Sequence, residues 1–393
     1  MKQQLCYLVI RHMSYHRLRT LWLWLGLTLT CWLPLCVHHL TQVFEQRLIA
    51  RAEQTPLILG VRGNAYDLVF HALYFRHGME DRLKMKDWAE VAEHAGIAAL
   101  PLLHGFHARS QPIVGITIDY LQRRQLRLSS GRAFTSLGEC VLGAKFAREQ
   151  GMEVGDSVMS DPENVFHLSG SYPLKLRVVG ILAPSGSSDD SAVFVDLKTH
   201  WVLEGLGHGH ATPETAEAAS QEWAISGDGS LNATAAVLPY LEITAENAQD
   251  VHFHQSTEEM PISAVLIWPD SDRATALLLG AYQDPSQVLQ LIRPMEVVES
   301  MMGWVFRVRT FLDLNYLLVG IAVISFLGLI MLLSNQLRGP EFAILRDLGA
   351  SAGFLRGLVL VEWGLLILMA LVCAVFMTLG MGALLRQWLV QVL

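Results

Sequence analysis

Three long apolar runs divide this chain, and each is long enough to cross a lipid bilayer. They cover residues 21–40, 314–337 and 358–379, with Glu362 as the one charged side chain of the last run. A helix that spans a bilayer needs about 20 predominantly apolar residues. Residues 1–20 are basic and carry no acid, so the positive-inside rule places them in the cytoplasm. The pattern predicts three transmembrane helices with a cytoplasmic N-terminus.

The remaining segments follow by alternating the sides of the membrane. A cleavable signal peptide is the alternative for the first run, but its length and the lack of an Ala-x-Ala site favour an uncleaved helix. The predicted segments are an amphipathic cytoplasmic helix at 1–20, membrane helices at 21–44, 311–337 and 357–382, an extracytoplasmic domain at 45–310 with an insert at about 203–260, a cytoplasmic helix at 338–356 and an external C-terminal tail at 383–393.

The outer domain has the alternation that is typical of strands. Residues 110–200 contain short runs such as Leu174–Val179 and Ala192–Val195, separated by glycine and proline. Alternating runs of this length indicate strands, whereas residues 81–94 and 212–223 have a helical pattern. We therefore expect an α/β extracytoplasmic domain, a mixed sheet with helices, on an α-helical membrane anchor of three transmembrane helices.

Composition limits the function classes. Of the 393 residues, 52% are hydrophobic and 17% are charged, so the chain is too apolar to be fully soluble and too polar for a carrier with many spans. The net charge of −8 does not indicate a basic surface for binding nucleic acid. No Gly-x-x-x-x-Gly-Lys-Ser/Thr motif is present, so any nucleotide chemistry must come from another polypeptide.

The charged segment after the second run has the signals of a capped amphipathic helix. Pro340 suits a first helical turn, Glu341 suits the positive end of the helix dipole, and Gly349 suits a C-terminal cap. Apolar side chains recur at helical spacing between these caps. An ordinary hairpin connection between membrane helices is the alternative. The predicted ridge, which can seat in a groove of a soluble partner, consists of Phe342, Ile344, Leu345 and Leu348, beside Arg346.

Several motifs recur in a fixed order along the chain. The segment Glu341–Ser351 looks like the pattern R-x-E-I-x-x-L-[RK]-A-[LI]-G-A-[ST]. The outer domain adds Gly131–Phe134, Glu139–Ala147, Val154–Ser157, Val178–Pro184 and Ser191–Leu197. Together with the layout of helices, these motifs resemble the MacB/LolC/FtsX superfamily of ABC-transporter permeases. Ordered matches over most of the chain are more specific than one short motif.

The resemblance implies a bacterial inner-membrane protein with a MacB-like periplasmic core. It also implies a separate ATP-binding subunit, so that ATP acts only through that partner, and a complex of two permease subunits, either two copies of this chain or a heterodimer. The ATPase would contact the cytoplasmic segment, here called the coupling helix. The coupling residues would be Glu341, Phe342, Ile344, Leu345, Arg346, Leu348 and Gly349.

Two segments at the ends of the chain bear on this resemblance. In the family a helix at the position of residues 1–20 also touches the ATPase, while a basic stop for the first span is the simpler interpretation. The family carries a fourth membrane helix, but residues 358–393 are too short for two full spans and a turn. We therefore expect three spans.

Histidine is the second feature with chemical content. Eleven of the fifteen histidines lie between residues 71 and 254. The pairs His208/His210 and His252/His254 have i, i+2 spacing, which in a strand places both rings on one face. Two imidazole nitrogens on one face can bind a divalent metal ion, and zinc is the best match. These four residues are the predicted metal site of the outer domain.

Other histidines give weaker signals. His104 and His107 are three residues apart and would need a helix to align their rings. We expect the isolated histidines to be solvated on the surface; they are His71, His94, His167 and His200. The pattern with G-H-G-H and H-F-H is also similar to a branch of MacB-like permeases found beside zinc-regulated periplasmic proteins.

Two classes of function fit these observations. In the first, the chain is a permease subunit that couples ATP hydrolysis to movement of its outer domain. It acts on a periplasmic substrate or binding protein, either in zinc handling or in the export of a lipoprotein or small molecule. In the second, it is a non-transporting metal-sensing membrane protein. The coupling helix favours the first. Glu362 and Asp313 are candidates for a transport role, but both lie near an interface and we expect them to be solvated.

Overall fold

The computed structural model describes residues 2–76, 81–161, 173–208, 241–244, 247–248 and 251–392. It contains two compact units. One consists of Met1–Leu48 with Ser300–Val392, and the other of Ile49–Glu299. The predicted helix at 212–223 and most of the predicted insert lie outside the described residues.

Long helices build the first unit and enter the second. The helices of the described chain, in order, are α1 (Lys2–Tyr15), α2 (Arg17–Glu53), α3 (Ala65–Tyr74), α4 (Met85–Ala92), α5 (Ile118–Arg123), α6 (Ala144–Gln150), α7 (Leu197–Leu203), α8 (Asp272–Ala281), α9 (Pro294–Leu337), α10 (Gly339–Asp347) and α11 (Ala352–Val392).

Three helices of the described residues are long and apolar enough to cross a membrane: α2, α9 and α11. Their number agrees with the three predicted spans. Helix α9 begins at Pro294, whose fixed φ and missing N–H suit a first turn, and continues without a break through the second apolar run. Helix α11 runs on to Val392, so residues 383–392, predicted as a tail, are helical.

The second unit is built on a mixed sheet. Its strands are β1 (Leu57–Val61), β2 (Leu83–Lys84), β3 (Ile97–Ala108), β4 (Gln111–Ile116), β5 (Leu128–Gly131), β6 (Glu139–Leu142), β7 (Ser157–Met159), β8 (Leu174–Leu182), β9 (Val193–Asp196), β10 (Gly207–His208), β11 (Leu241–Glu242), β12 (His252–Phe253), β13 (Pro261–Ile262), β14 (Ala264–Pro269) and β15 (Leu289–Ile292).

Most of these strands join one sheet. Among the described residues its order is β11-β8-β6-β9-β4-β3-β14-β1-β15, with β5 and β7 also paired to β8. The β4/β9, β6/β8 and β8/β11 pairs are parallel and the others antiparallel, so the predicted mixed sheet with helices is confirmed. Two-stranded ladders join β10 to β12 and β2 to β13.

Alternation along β8 explains why this segment is a strand. Leu174, Leu176 and Val178 are buried, whereas Arg177 between them is exposed. Residues two apart in a strand share a face, so the apolar set is buried together. These side chains form one hydrophobic cluster with β6, β9 and α6, and a second cluster lies around β1, β3, β14 and α4.

Candidate functional site

The coupling helix has the two end signals expected from the sequence. Helix α10 has a proline in its first turn. At its other end Gly349 has φ of +93°, a conformation that favours glycine. The Gly349 N–H donates to Arg346 O at 2.8 Å and the Ala350 N–H donates to Leu345 O at 2.9 Å. This pair of bonds is the Schellman arrangement that closes a helix, so the coupling helix is a short, well-terminated unit.

The apolar ridge of this helix is divided between exposed and half-buried positions. Ile344 is 62% exposed and Leu348 is 79% exposed, and residues four apart lie on the same helix face. Phe342 and Leu345 are half-buried, while Arg346 is exposed. The face free for a partner is therefore centred on Ile344 and Leu348. Phe342 and Leu345, the other two apolar residues of the predicted ridge, lie mainly on the inner side of the helix.

A buried charge network lies at the start of the coupling helix. Arg338, the residue before α10, donates from Nη1 to Glu362 Oε2 at 2.9 Å and from Nη2 to Oε1 at 3.1 Å. Arg19 Nη2 donates to the same Oε1 at 3.2 Å. The side chains of Arg338 and Glu362 are only 8% and 6% exposed. A two-point guanidinium–carboxylate pair of this kind fixes orientation as well as charge.

His12 completes this network from the N-terminal helix. Its Nδ1 lies 3.0 Å from Arg338 Nη2 and 3.5 Å from Glu362 Oε1. Burial, and then the charge of Arg338, lowers the pKa of His12, so the imidazole is neutral and its Nδ1 accepts the proton of Arg338. The network thus joins α1, α2, the start of α10 and α11.

Glu362 is therefore not the solvated carboxylate that we expected. It is 4% exposed and its charge is used by two arginines. Sequence spacing could not identify these partners, because Arg338 and Arg19 are far from Glu362 along the chain. The side chain of Asp313 is 58% exposed, and its Oδ2 lies 3.8 Å from Arg309 Nε.

Helix α1 packs on α11 through part of its apolar face. Val9 and Met13 are buried in a cluster with Leu358 and Leu366. The i, i+4 spacing of Val9 and Met13 places them on one side of the helix. Ile10 and Tyr7 remain exposed, so α11 covers only part of the apolar surface of this helix.

The structure brings part of the predicted metal site together. Strands β10 and β12 are antiparallel, and in their register His208 is directly opposite His252. The rings of His252 and His254 have centroids 5.0 Å apart. His210 lies outside the described residues, as does the side chain of His208. Within the described part of the chain, no three metal-ligating side chains are arranged to hold an ion.

A second group of histidines is buried in the core. His71 and His200 are fully buried, so our expectation that they are solvated surface residues was wrong, whereas His94 is exposed as expected. The ring of His104 is centred 5.1 Å from His71 and 5.9 Å from His107. Burial, then the neighbouring His71, His200 and His107, lowers the pKa of His104 to about 3.

A register shift in β3 explains how His104 and His107 meet without a helix. The pairing of β3 with β4 slips between His104 and Phe106. Residues three apart in a regular strand point to opposite faces, and a bulge adds the one residue that returns them to the same face. The sequence carries one hint of this bulge, Gly105 within the strand.

Comparison with known proteins identifies the family to which the central part of this chain is similar. A family model described as the MacB-like periplasmic core domain matches residues 40–236, half of the chain. No curated protein matches. Two solved structures are similar. The periplasmic region of MacB from Actinobacillus actinomycetemcomitans is 14% identical over 65% of this chain and 98% of that one, with a TM-score of 0.34. The extracellular domain of the noncanonic ABC-type transporter YknZ from Gram-positive bacteria is 11% identical over 60% and 98%, with a TM-score of 0.32.

The match to the MacB-like periplasmic core domain shows the family of this chain. The matched residues cover the sheet from β1 through β9, which is the part that the ordered sequence motifs also identify. The apolar helices accompany that domain in one chain. This chain therefore belongs to the MacB-like family and is a MacB-like ABC-transporter permease, a membrane protein with an extracytoplasmic domain.

Proposed function

We propose that this chain is an inner-membrane permease subunit that converts ATP hydrolysis by a separate ATP-binding subunit into movement of its periplasmic domain. Its N-terminus is cytoplasmic, and a second permease subunit, identical or different, completes the complex. The supporting observation is the coupling helix: it has a proline in its first turn, is closed by the Gly349 turn and carries the exposed pair Ile344 and Leu348. MacB-like permeases work with an ATPase partner, and this ridge is the surface for it.

Two further features support mechanical transmission rather than a pore. Helices α2 and α9 are each continuous along the chain from an apolar run to residues of the outer unit. Glu362, the one acid of the third apolar run, is held by Arg338 and Arg19. Its carboxylate is thus committed to structure and does not offer a free site for a transported ion.

Co-purification with a co-expressed MacB-like ATP-binding subunit tests this proposal. The variant Ile344→Asp/Leu348→Asp is expected to reduce the recovered subunit at least tenfold, because it places two charges on the apolar contact. Ala352→Asp, at an exposed position within the predicted cytoplasmic segment 338–356 but outside the ridge, is the matched control for a new surface charge. Equal recovery with all three proteins contradicts the assignment of the coupling helix.

Divalent metal binding, with zinc as the preferred ion, is a second candidate function of the periplasmic domain. The observation in its favour is the register that makes His208 the cross-strand partner of His252. Directly opposite residues of an antiparallel pair lie on one face, about 4.5–5.5 Å apart at Cβ. His254 adds a third imidazole two residues along. Three imidazoles and an open position are a common zinc ligand set.

Calorimetric titration of the full chain in detergent with zinc alone tests this site. The wild type is expected to bind one equivalent, and His252→Ala/His254→Ala is expected to lose the binding. His94→Ala, at an exposed isolated histidine, is the matched control and should bind like the wild type. A flat titration of the wild type removes zinc handling and the metal-sensor alternative, and leaves export of a lipoprotein or small molecule by the same permease.

A further inference from the structure

The first residues of strand β3 have one open edge. Strand β3 pairs with β14 from Ile97 onward, but its pairing with β4 begins only at Leu102. The Asp270 N–H donates to Gly96 O at 2.8 Å, so the even-numbered residues of this stretch bond toward β14. Bonding directions alternate along an antiparallel strand. The backbone groups of Ile97 and Ala99 therefore point the other way, to the side that β4 leaves uncovered.

Three of the four backbone groups at this edge have no partner among the described residues. They are the N–H and C=O of Ile97 and the N–H of Ala99. The fourth group, Ala99 O, accepts from Trp88 Nε1 of α4 at 2.9 Å, which confirms that the Ala99 groups point away from β14. An unpaired strand edge is a template for the backbone of another chain.

A groove lies at this open edge and is called the β3 groove here. Its volume is about 500 Å³, within the range of pockets that hold ligands. Its lining combines Ala92 of α4, residues 97–100 of β3, and Asp119, Gln122 and Arg123 of α5. The groove thus places unpaired backbone groups beside both apolar and charged side chains.

The two helices of the groove lie on opposite faces of β3. Ala99 and Val91 of α4 belong to one apolar cluster. On the other face, the guanidinium carbon of Arg123 lies 5.3 Å from the ring centre of Trp268. Trp268 is the cross-strand partner of Ala98, and directly opposite residues share a face. A strand added at the open edge would therefore present alternate side chains to an apolar wall at α4 and a charged wall at α5.

The charged wall carries an acid and a base at a spacing that suits a strand. Asp119 and Arg123 are exposed, and neither forms an ion pair with another described residue. They are four residues apart, which is about 6.0 Å along a helix. Two residues of a strand span about 6.6 Å. Oppositely charged side chains at positions i and i+2 of an extended peptide would therefore meet both.

We propose that the β3 groove binds an extended peptide segment of a partner protein by strand addition. The backbone of the segment donates to Ile97 O and accepts from the N–H groups of Ile97 and Ala99. A basic and an acidic side chain, two residues apart, face Asp119 and Arg123. In this mode the main-chain bonds supply affinity and the alternate side chains supply specificity. The proposal goes beyond coupling to an ATPase and does not depend on it.

Fluorescence polarisation with the full chain in detergent tests the groove. The probes are fluorescein-labelled Val-Lys-Val-Glu-Val and the same peptide with its lysine and glutamate exchanged. One of the two charge orders is expected to bind at least about tenfold more tightly than its version with every amide N-methylated, because N-methylation removes the donors of strand pairing. The other charge order should bind more weakly, because its charges meet like charges.

Two variants test the backbone and the charged wall separately. Ile97→Pro removes one open N–H and should weaken the preferred peptide about tenfold. Pro101, at the same parity in β3, shows that this edge of the strand accommodates proline. Asp119→Arg/Arg123→Asp should reverse which charge order binds more tightly. Arg148→Asp/Glu149→Arg, at exposed positions on α6, is the matched control and should keep the wild-type preference.

Several outcomes overturn the proposal. Failure of both peptides to bind, or equal binding of the N-methylated forms, refutes strand addition. An unchanged charge preference in Asp119→Arg/Arg123→Asp excludes the β3 groove as the site. If Ile97→Pro does not fold, this charge exchange decides, because it alters only exposed side chains. A dimer of the full chain that Ile97→Pro converts to a monomer in light scattering assigns the edge to a second copy of this chain instead of a partner peptide.

Discussion

Glu362→Gln should release the start of the coupling helix from its supports. The substitution keeps the shape of the side chain but removes the charge that Arg338 and Arg19 share. Arg338 then remains buried as a cation, with the neutral His12 and a single amide oxygen as acceptors. Because Arg338 directly precedes α10, we expect the helix to lose its fixed position as well as stability.

The size of the effect follows from burial. Both partners of the main pair are nearly inaccessible, at 8% and 6% exposure, and removing one member of a buried pair costs about 3–5 kcal/mol. For a unit of this size, each kcal/mol shifts the Tm by about 2–4 °C. The expected loss is therefore about 6–20 °C. An exposed pair is worth only about 0–1 kcal/mol, and Asp313→Asn, whose side chain is 58% exposed, is the matched control.

Thermal unfolding in detergent and recovery of the ATP-binding subunit are the two assays. Glu362→Gln should lower both the Tm and the recovery, and Asp313→Asn should change neither. The double variant Arg338→Met/Glu362→Met removes both charges, and replacing a buried pair by apolar side chains is often neutral in stability. It should regain the Tm. Equal Tm values for Glu362→Gln, Asp313→Asn and the wild type would refute the reasoning.

Three other predictions concern single residues. The pKa of His104 falls from an ordinary 6.5 to about 3 in the folded protein. Below pH 6.5 the unfolded state therefore binds more protons than the folded state, and the stability falls. Urea titrations should show a loss of about 2 kcal/mol between pH 7 and pH 5, and His104→Asn should remove this loss. Gly349→Ala should lower the free energy of unfolding by about 1 kcal/mol, because Gly349 has a positive φ. Gly320→Ala, in open space within α9, should not lower the Tm in thermal unfolding. Asp189→Asn should lower the Tm by about 6–20 °C, because Arg51 loses its buried carboxylate; an unchanged Tm contradicts this.

Much of the architecture follows from local sequence. The three apolar runs, the alternation of Leu174–Val178 and the end signals Pro340 and Gly349 are properties of neighbouring residues, and the structure has helices, a strand and a helix cap at those positions. Periodicity, fixed φ of proline and positive φ of glycine act within a few residues. For that reason the three apolar helices and the mixed sheet could be predicted.

The tertiary structure decided which distant residues meet. Arg19 reaches Glu362 across 343 positions of the chain, and His208 lies opposite His252 only because β10 and β12 pair in that register. His71 and His200 have no local signal for burial, yet packing encloses both. Such contacts depend on strand register and helix packing, which neighbouring residues do not specify. The sequence determined the elements, and the packing of those elements determined the charge network, the histidine positions and the open edge of β3.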